Sequence, residues 1–235
     1  MVVTNGIQKR AQKVVIYGAE GIGKTTLASY FPSPVFLDME NGTSHLAVNR
    51  AYPRDWADLL DALRECQQLT YRTVVIDTID AAEKACSKYV AGRDGKKGIE
   101  DYGYGKGYTY LQEEFSELLK RCDALIKLGI NVVLIGHAQM RKFEQPDEMG
   151  SYDRWELKLS KKLCPDVKEW ADLLLFCNYK TYTVTDESGK VKAQGGKRTM
   201  YTQHHPCWDA KNRHNLPGEV EMAYVSIEHI FEDIP

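Results

Sequence analysis

No stretch of this 235-residue sequence reaches the roughly 18 consecutive apolar residues of a membrane span, and the first dozen residues, MVVTNGIQKRAQ, lack an apolar core ending in a small-residue cleavage site. The sequence therefore predicts a protein with no membrane partner that stays in the cytoplasm. The six cysteines, at 66, 86, 122, 164, 177 and 207, contain no CxxC pair and sit mostly in apolar segments, which argues for reduced thiols packed as small hydrophobes. Positive charge is also missing: the formal net charge is -2, so a protein that coats nucleic acid by bulk electrostatics is excluded and any such contact has to be local. No NKxD segment is present and the TVVID strand is not followed by a DxxG turn, which removes a GTPase reading. Internal repeats and low-complexity tracts are absent as well.

What remains, with 43% hydrophobic and 27% charged residues, suffices for one α/β domain with a buried sheet. Continuous apolar runs read as strands at KVVIYG, PVFLDM from Pro34, TVVIDT, NVVLIG from Asn131 and WADLLLF from Trp170. Between them lie helical stretches: TTLASYF, the segment RDWADLLDALRECQQL with Trp56, Leu59, Leu60 and Leu63 at helical spacing, residues 79–90, and YTYLQEEFSELLKRCDALIKLG. Residues 92–107 are glycine-rich and charged and read as a mobile loop, and polar residues around Gln145, Pro146 and Asp147 mark another. From Asn178 the period becomes two, with YKTYTVT and KRTMYTQ flanking a turn-rich stretch. The expected fold is α/β, a mainly parallel sheet flanked by helices with antiparallel strands at its C-terminal end. Residues 1–12 are expected as an N-terminal tail, 13–225 as a single core and 226–235 as an acidic C-terminal tail.

The sharpest local signal is Gly18, Ala19, Glu20, Gly21, Ile22, Gly23, Lys24 and Thr25, a gapless GxxxxGK[ST] between a strand and a helix, with Thr26 following. Glycines let backbone N–H groups turn toward phosphates, Lys24 brings a point charge to the β/γ oxygens, and Thr25 can ligate Mg2+. Asp77, ending TVVID, fits the second carboxylate on the magnesium side. The residues after it, Thr78-Ile79-Asp80, include no adjacent glutamate, which argues against an AAA+ type site. Glu40, ending the second strand in FLDMEN, would stand beside the phosphate loop and can take a proton from attacking water, with Asp80 the next candidate. His204, His205, Cys207 and His214 invite a zinc reading but have no second pair at ligand spacing.

Taken together, GAEGIGKTTL, FLDMEN, VVIDTID, LIGHAQ and WADLLLF resemble the RecA superfamily, which includes the recombinases RecA and RadA and the DnaB-type ring helicases. More narrowly the chain is similar to short phage-encoded proteins that keep only the RecA-like core and assist single-strand annealing or recombination. The resemblance implies a Mg-dependent ATPase with ATP as its nucleotide, Glu40 as general base, and His137 of LIGHAQ as the γ-phosphate sensor, with Gln139 as the alternative. It implies that DAKNRHNLPG sends Lys211 and Arg213 into a neighbour's site, and hence a homo-oligomer, ring or filament. Residues 92–107 and 141–162 fall where RecA-like proteins contact single-stranded DNA. The first offers Lys96, Lys97, Tyr102, Tyr104 and Lys106, the second Arg141, Lys142, Phe143 and Arg154, mixing cations and aromatics as single-strand binders do. Four basic residues against three acidic ones in 92–107 make that footprint weak, whereas the stretch from Lys190 to Arg213 is more basic and could face DNA or a neighbour's nucleotide. The expected function is ATP-driven handling of single-stranded DNA in phage-type recombination or replication, in a bacterial host cytoplasm, with a single-strand DNA-binding protein as a further partner. A ring helicase or translocase motor and a nucleotide-switched assembly protein not acting on DNA are the alternatives.

Overall fold

The first strand, β1 (Lys13–Gly18), is buried on both faces, and this decides the architecture. Val15 and Tyr17 enter one apolar cluster, Val14 and Ile16 another, because successive side chains of a strand point to opposite faces. The computed structural model, which describes residues 3–6, 8–144, 150–185 and 191–232, places β1 in the middle of a nine-stranded sheet of order β3-β2-β4-β5-β1-β7-β8-β9, with β6 paired to β5. The other strands are β2 (Pro34–Asp38), β3 (Asn49–Ala51), β4 (Thr73–Asp77), β5 (Asn131–Glu144), β6 (Ser151–Leu157), β7 (Leu173–Thr185), β8 (Val191–Tyr201) and β9 (Glu219–Glu221). Pairings from β3 across to β7 are parallel, while β7–β8, β8–β9 and β5–β6 are antiparallel. The protein is thus mixed α/β, with a mainly parallel sheet and antiparallel strands at the C-terminal end.

The two faces are covered by different means. One carries α2 (Trp56–Glu65), α3 (Ile79–Arg93), α4 (Lys106–Lys127) and α5 (Leu163–Trp170), whose apolar stripes, Leu111, Phe115, Leu118, Cys122 and Leu125 on α4 for instance, meet Val74, Ile76, Val132 and Leu134. The other carries only the short α1 (Lys24–Ser29) and the last described segment, whose Leu216, Ile227, Ile230 and Phe231 close over Ile16, Val75, Val133 and Leu175. Ala11, Ile227, Ile230 and Phe231, all outside the expected 13–225 core, are therefore buried within it. Among the described residues no helix is long and apolar enough to cross a membrane.

Several local expectations change. Residues 92–107 are not a featureless loop: Ile99 is the one aliphatic side chain there, and its burial against α4 organises a 3-10 turn at Ile99–Tyr102, with Tyr102 Oη donating to Val90 O at 2.8 Å. Residues 141–144 and 151–157 form an antiparallel arm rather than a loop, since β5 runs on past the sheet and pairs with β6 from Ala138↔Leu157 to Glu144↔Ser151. Trp170 ends α5 instead of opening a strand, and its indole donates to Asp123 at 2.8 Å. The turns expected around Gln145–Asp147 and at 186–190 lie outside the described residues.

Candidate functional site

The phosphate-loop motif occupies the turn between β1 and α1. Gly18 is required by packing: in the parallel register it stands opposite Cys177 of β7, and a Cβ there would lie 2.0 Å from the Cys177 carbonyl oxygen. Gly23, the residue before α1, is held at φ 105°, a backbone conformation that costs little only for glycine. Lys24 folds back under the loop and donates from Nζ to Gly18 O at 3.0 Å and Ala19 O at 2.8 Å. Burial pulls its ammonium below the usual lysine value, against the pull of nearby anionic groups including Asp77. An ammonium has three donors, so one is left for an anion above the loop.

Thr25 Oγ1 donates to Asp77 Oδ2 at 2.8 Å, joining the start of α1 to the end of β4. Burial raises the Asp77 carboxyl to about 6, although the Thr25 hydrogen bond opposes the shift; Asp38 and Glu40 add repulsion. A buried carboxylate beside a hydroxyl, with negative neighbours, is a set of hard oxygen donors short of positive charge. These residues fit a magnesium ion.

Glu40 is exposed at the rim and its Oε2 accepts from Thr78 Oγ1 at 3.0 Å, the same hydroxyl that caps α3 by accepting from Ala81 N at 3.2 Å. The turn carrying Glu40 is built by Asp38, a residue that the motif reading passed over. Its carboxylate accepts from Glu40 N and Gly42 N at 3.1 Å each, and from Thr43 N at 2.9 Å and Thr43 Oγ1 at 2.6 Å. Burial alone would raise the Asp38 carboxyl, but these four donors outweigh it and hold it below the ordinary value. An Asp followed within a few residues by Asn-Gly-Thr is an Asx-turn signature, so the signal was present.

His137 lies at the point where β5 leaves the sheet. Its ring Nδ1 sits 3.0 and 3.2 Å from the two oxygens of buried Asp80, and its backbone N donates to Asp80 Oδ1 at 3.2 Å. Asp80 thereby holds His137 through both of its oxygens. With Nδ1–H donating to Asp80, the remaining nitrogen, Nε2, accepts in the neutral ring and donates only in the imidazolium. Glu40, Asp80 and His137 each bring a polar atom within 4.8 Å of the others. Gln139 is elsewhere, donating to Leu157 O and Leu159 O at 3.3 Å. The cavity lined by Gly23, Lys24, Thr25, Asp77, Glu40 and His137 has a volume of about 300 Å³.

Other expected site residues stand apart. Lys211 Nζ caps α5 by donating to Lys168 O at 2.7 Å and Glu169 O at 3.3 Å, and Arg213 lies 3.5 Å from Asp172, at the edge of the sheet where β1 and β7 begin. Arg154, expected at a DNA surface, is buried in an ion pair with Asp209 and is unavailable there; Lys142 remains exposed on the arm. Arg198, in the basic stretch expected to face DNA or a neighbour's nucleotide, instead donates to Ile22 O of its own phosphate loop at 3.4 Å. His205 stacks on Trp208 with ring centroids 4.1 Å apart, and His214 Nε2 is 2.9 Å from Gln12 Oε1.

Comparison with known proteins adds two findings. The AAA_24 family, described as an AAA domain, matches residues 10–214. The SPbeta prophage-derived uncharacterized protein YorG of Bacillus subtilis (strain 168) is 30% identical over 144 residues, which cover 58% of this chain and 43% of that protein. The chain thus matches less than half the length of that relative. The family description corrects the sequence argument that set an AAA-type assignment aside. The local fact behind that argument stands, since Asp77 is followed by Thr78 and the glutamate near the cavity comes from the end of β2.

Proposed function

The chain belongs to the AAA_24 family of AAA domains, a P-loop NTPase type, and from that premise we propose that it binds Mg-ATP with its phosphates in the 300 Å³ cavity and hydrolyses it, with single-stranded DNA as its effector. The observation that carries the reading is the Thr25–Asp77 hydrogen bond at 2.8 Å, beside a buried Lys24 and opposite Glu40. Thr25 and Asp77 would hold magnesium, which when bound offsets charge on the β/γ oxygens. Lys24, fixed by two loop carbonyls, directs its third proton at phosphate. Glu40, oriented by Thr78, keeps one carboxylate oxygen for the proton of the attacking water. His137, held by Asp80 at Nδ1, has Nε2 left to meet the terminal phosphate.

Support for the DNA-directed part is more distant from the chemistry. The relative named above is prophage-derived, and β5 carries both His137 and the arm bearing Arg141, Lys142 and Phe143, so an occupant of the arm is covalently in line with the phosphate sensor. Assembly into a ring or filament would let Arg213, more than half exposed, approach a neighbour's phosphates. The fitting role is annealing or strand pairing in phage-type recombination. The test is ATP turnover with and without a single-stranded oligonucleotide at low and high salt. Stimulation that fades at high salt is expected, because phosphate contacts release counterions. ATP binding with turnover indifferent to DNA would replace this reading by a nucleotide-switched assembly protein, and ATP-driven strand separation would replace it by a translocating motor.

A further inference from the structure

Beside the phosphate loop, on the Thr26 side, lies a second cavity of about 490 Å³. Gly23 and Thr26 border both this cavity and the 300 Å³ one, so the two adjoin at the loop. Their chemistry differs. The Asp77 side gathers carboxylates and the His137 imidazole, the groups that act on a terminal phosphate. The Thr26 side is lined by Leu27 and Tyr30 of α1, Arg198 of β8, and Met222, Val225 and Glu228 from the segment after β9. Tyr30 is 64% exposed and Val225 66%. Single exposed apolar side chains are ordinary, but these two face one cavity that opens on a phosphate-binding turn.

The wall is built in advance of any ligand. Rings of Phe31, Tyr224 and Phe231 pack with centroids 4.8 to 6.0 Å apart and fasten the C-terminal segment to α1. Met222 N donates to Arg198 O at 3.3 Å, joining that segment to β8, and Arg198 in turn donates to the loop at Ile22 O. Residues 222–228 lie past the end of the stretch that matches the family.

We propose that the 490 Å³ cavity receives the nucleoside moiety of the nucleotide whose phosphates lie on the loop, with Tyr30, Met222 and Val225 supplying a stacking and apolar surface for the base and Arg198 at the sugar–phosphate junction. The inference rests on the phosphate-loop reading above. A nucleotide with its terminal phosphate toward Asp77 runs back over the loop toward the Thr26 side, where the cavity is lined by Leu27, Tyr30, Met222 and Val225, whereas Ile135 is the one aliphatic side chain lining the other. Base–aromatic stacking is tolerant of base identity, so the cavity discriminates nucleotide from bare polyphosphate more strongly than one base from another.

The experiment is equilibrium titration of magnesium-ATP and of magnesium-tripolyphosphate into the intact protein, Tyr30→Ala and Val225→Asn. Both positions are mostly exposed, and matched thermal melts check that the variants fold. ATP is expected to bind the unaltered protein at least about tenfold more tightly than tripolyphosphate, and each variant to lose most of that margin while its tripolyphosphate affinity stays within about twofold. Equal affinities in the unaltered protein, or a margin that survives both substitutions, overturn the nucleoside cavity and leave the phosphate loop standing. Failure of both compounds to bind, or binding indifferent to Lys24→Ala, overturns the phosphate-loop reading and this inference with it.

Discussion

Asp77 and Asp172 are both buried, 6% and 3% exposed, at opposite edges of one sheet, and the chain surrounds them differently. Asp172, just before β7, accepts on both oxygens from one guanidinium nitrogen of Arg10, at 2.8 and 2.9 Å, with Arg213 at 3.5 Å. Asp77, at the end of β4, has the Thr25 hydroxyl and two repelling carboxylates. One edge satisfies its charges internally, which is a structural use of charge. The other leaves negative charge undercompensated over a cavity, which holds stability in reserve for a cation. The difference teaches where to look for a ligand: at the buried acid that the fold fails to pair.

The largest test of this contrast lies at the undercompensated edge. Glu40→Gln should keep ATP binding while turnover falls by about 10² to 10⁴, read by titration and phosphate release; near-normal turnover would move the base away from Glu40. Asp77→Asn should abolish magnesium-dependent binding yet raise the stability of the ligand-free protein by about 2–3 kcal/mol at neutral pH. The sign follows from the raised carboxyl: its ionisation in the fold costs stability only above its unfolded value, so the two proteins should match near pH 4 and diverge as pH rises through about 6. Urea denaturation at several pH values reads this, and a destabilised variant at pH 7 would erase the contrast. Asp172→Ala should do the reverse, costing about 2 kcal/mol with ATP turnover retained, because a charge-assisted hydrogen bond to a buried carboxylate is lost from the structural edge. Smallest of all, Arg213→Ala should change stability by less than about 0.5 kcal/mol and leave ATP binding intact, since its pairing is long and exposed. Stimulated turnover should nevertheless drop if Arg213 serves a neighbouring subunit, and unchanged stimulated turnover removes it from that role.

How much of this could be read in the residues follows from how far apart the partners are. The phosphate loop, Thr25, Asp77 and Glu40 were legible because each ends or follows an apolar strand and its chemistry needs a short fixed motif. That β2, β4, β5, β1 and β7 are parallel follows from alternating apolar runs and helices; their order across the sheet does not. Asp38 was legible in principle through its Asx turn. Other features depend on contacts that no local pattern encodes. Arg154 looks like a surface cation until Asp209, 55 positions away, buries it. WADLLLF reads as one apolar run, yet Trp170 closes a helix and the strand starts at Leu173. Arg198 and Met222 meet the loop only after β8 and the C-terminal segment fold across α1.

That crossing imposes an order of events on the growing polypeptide. The phosphate loop leaves the ribosome about 200 residues before Met222, which at about 5–20 residues per second amounts to some tens of seconds. Until Ile227, Ile230 and Phe231 emerge, one side of the sheet, with Val14, Ile16, Val75 and Val133, has only α1 to shield it. The nascent protein therefore passes through a stage with its signature motif already made and a sticky flank exposed, the stage at which a chaperone would find it.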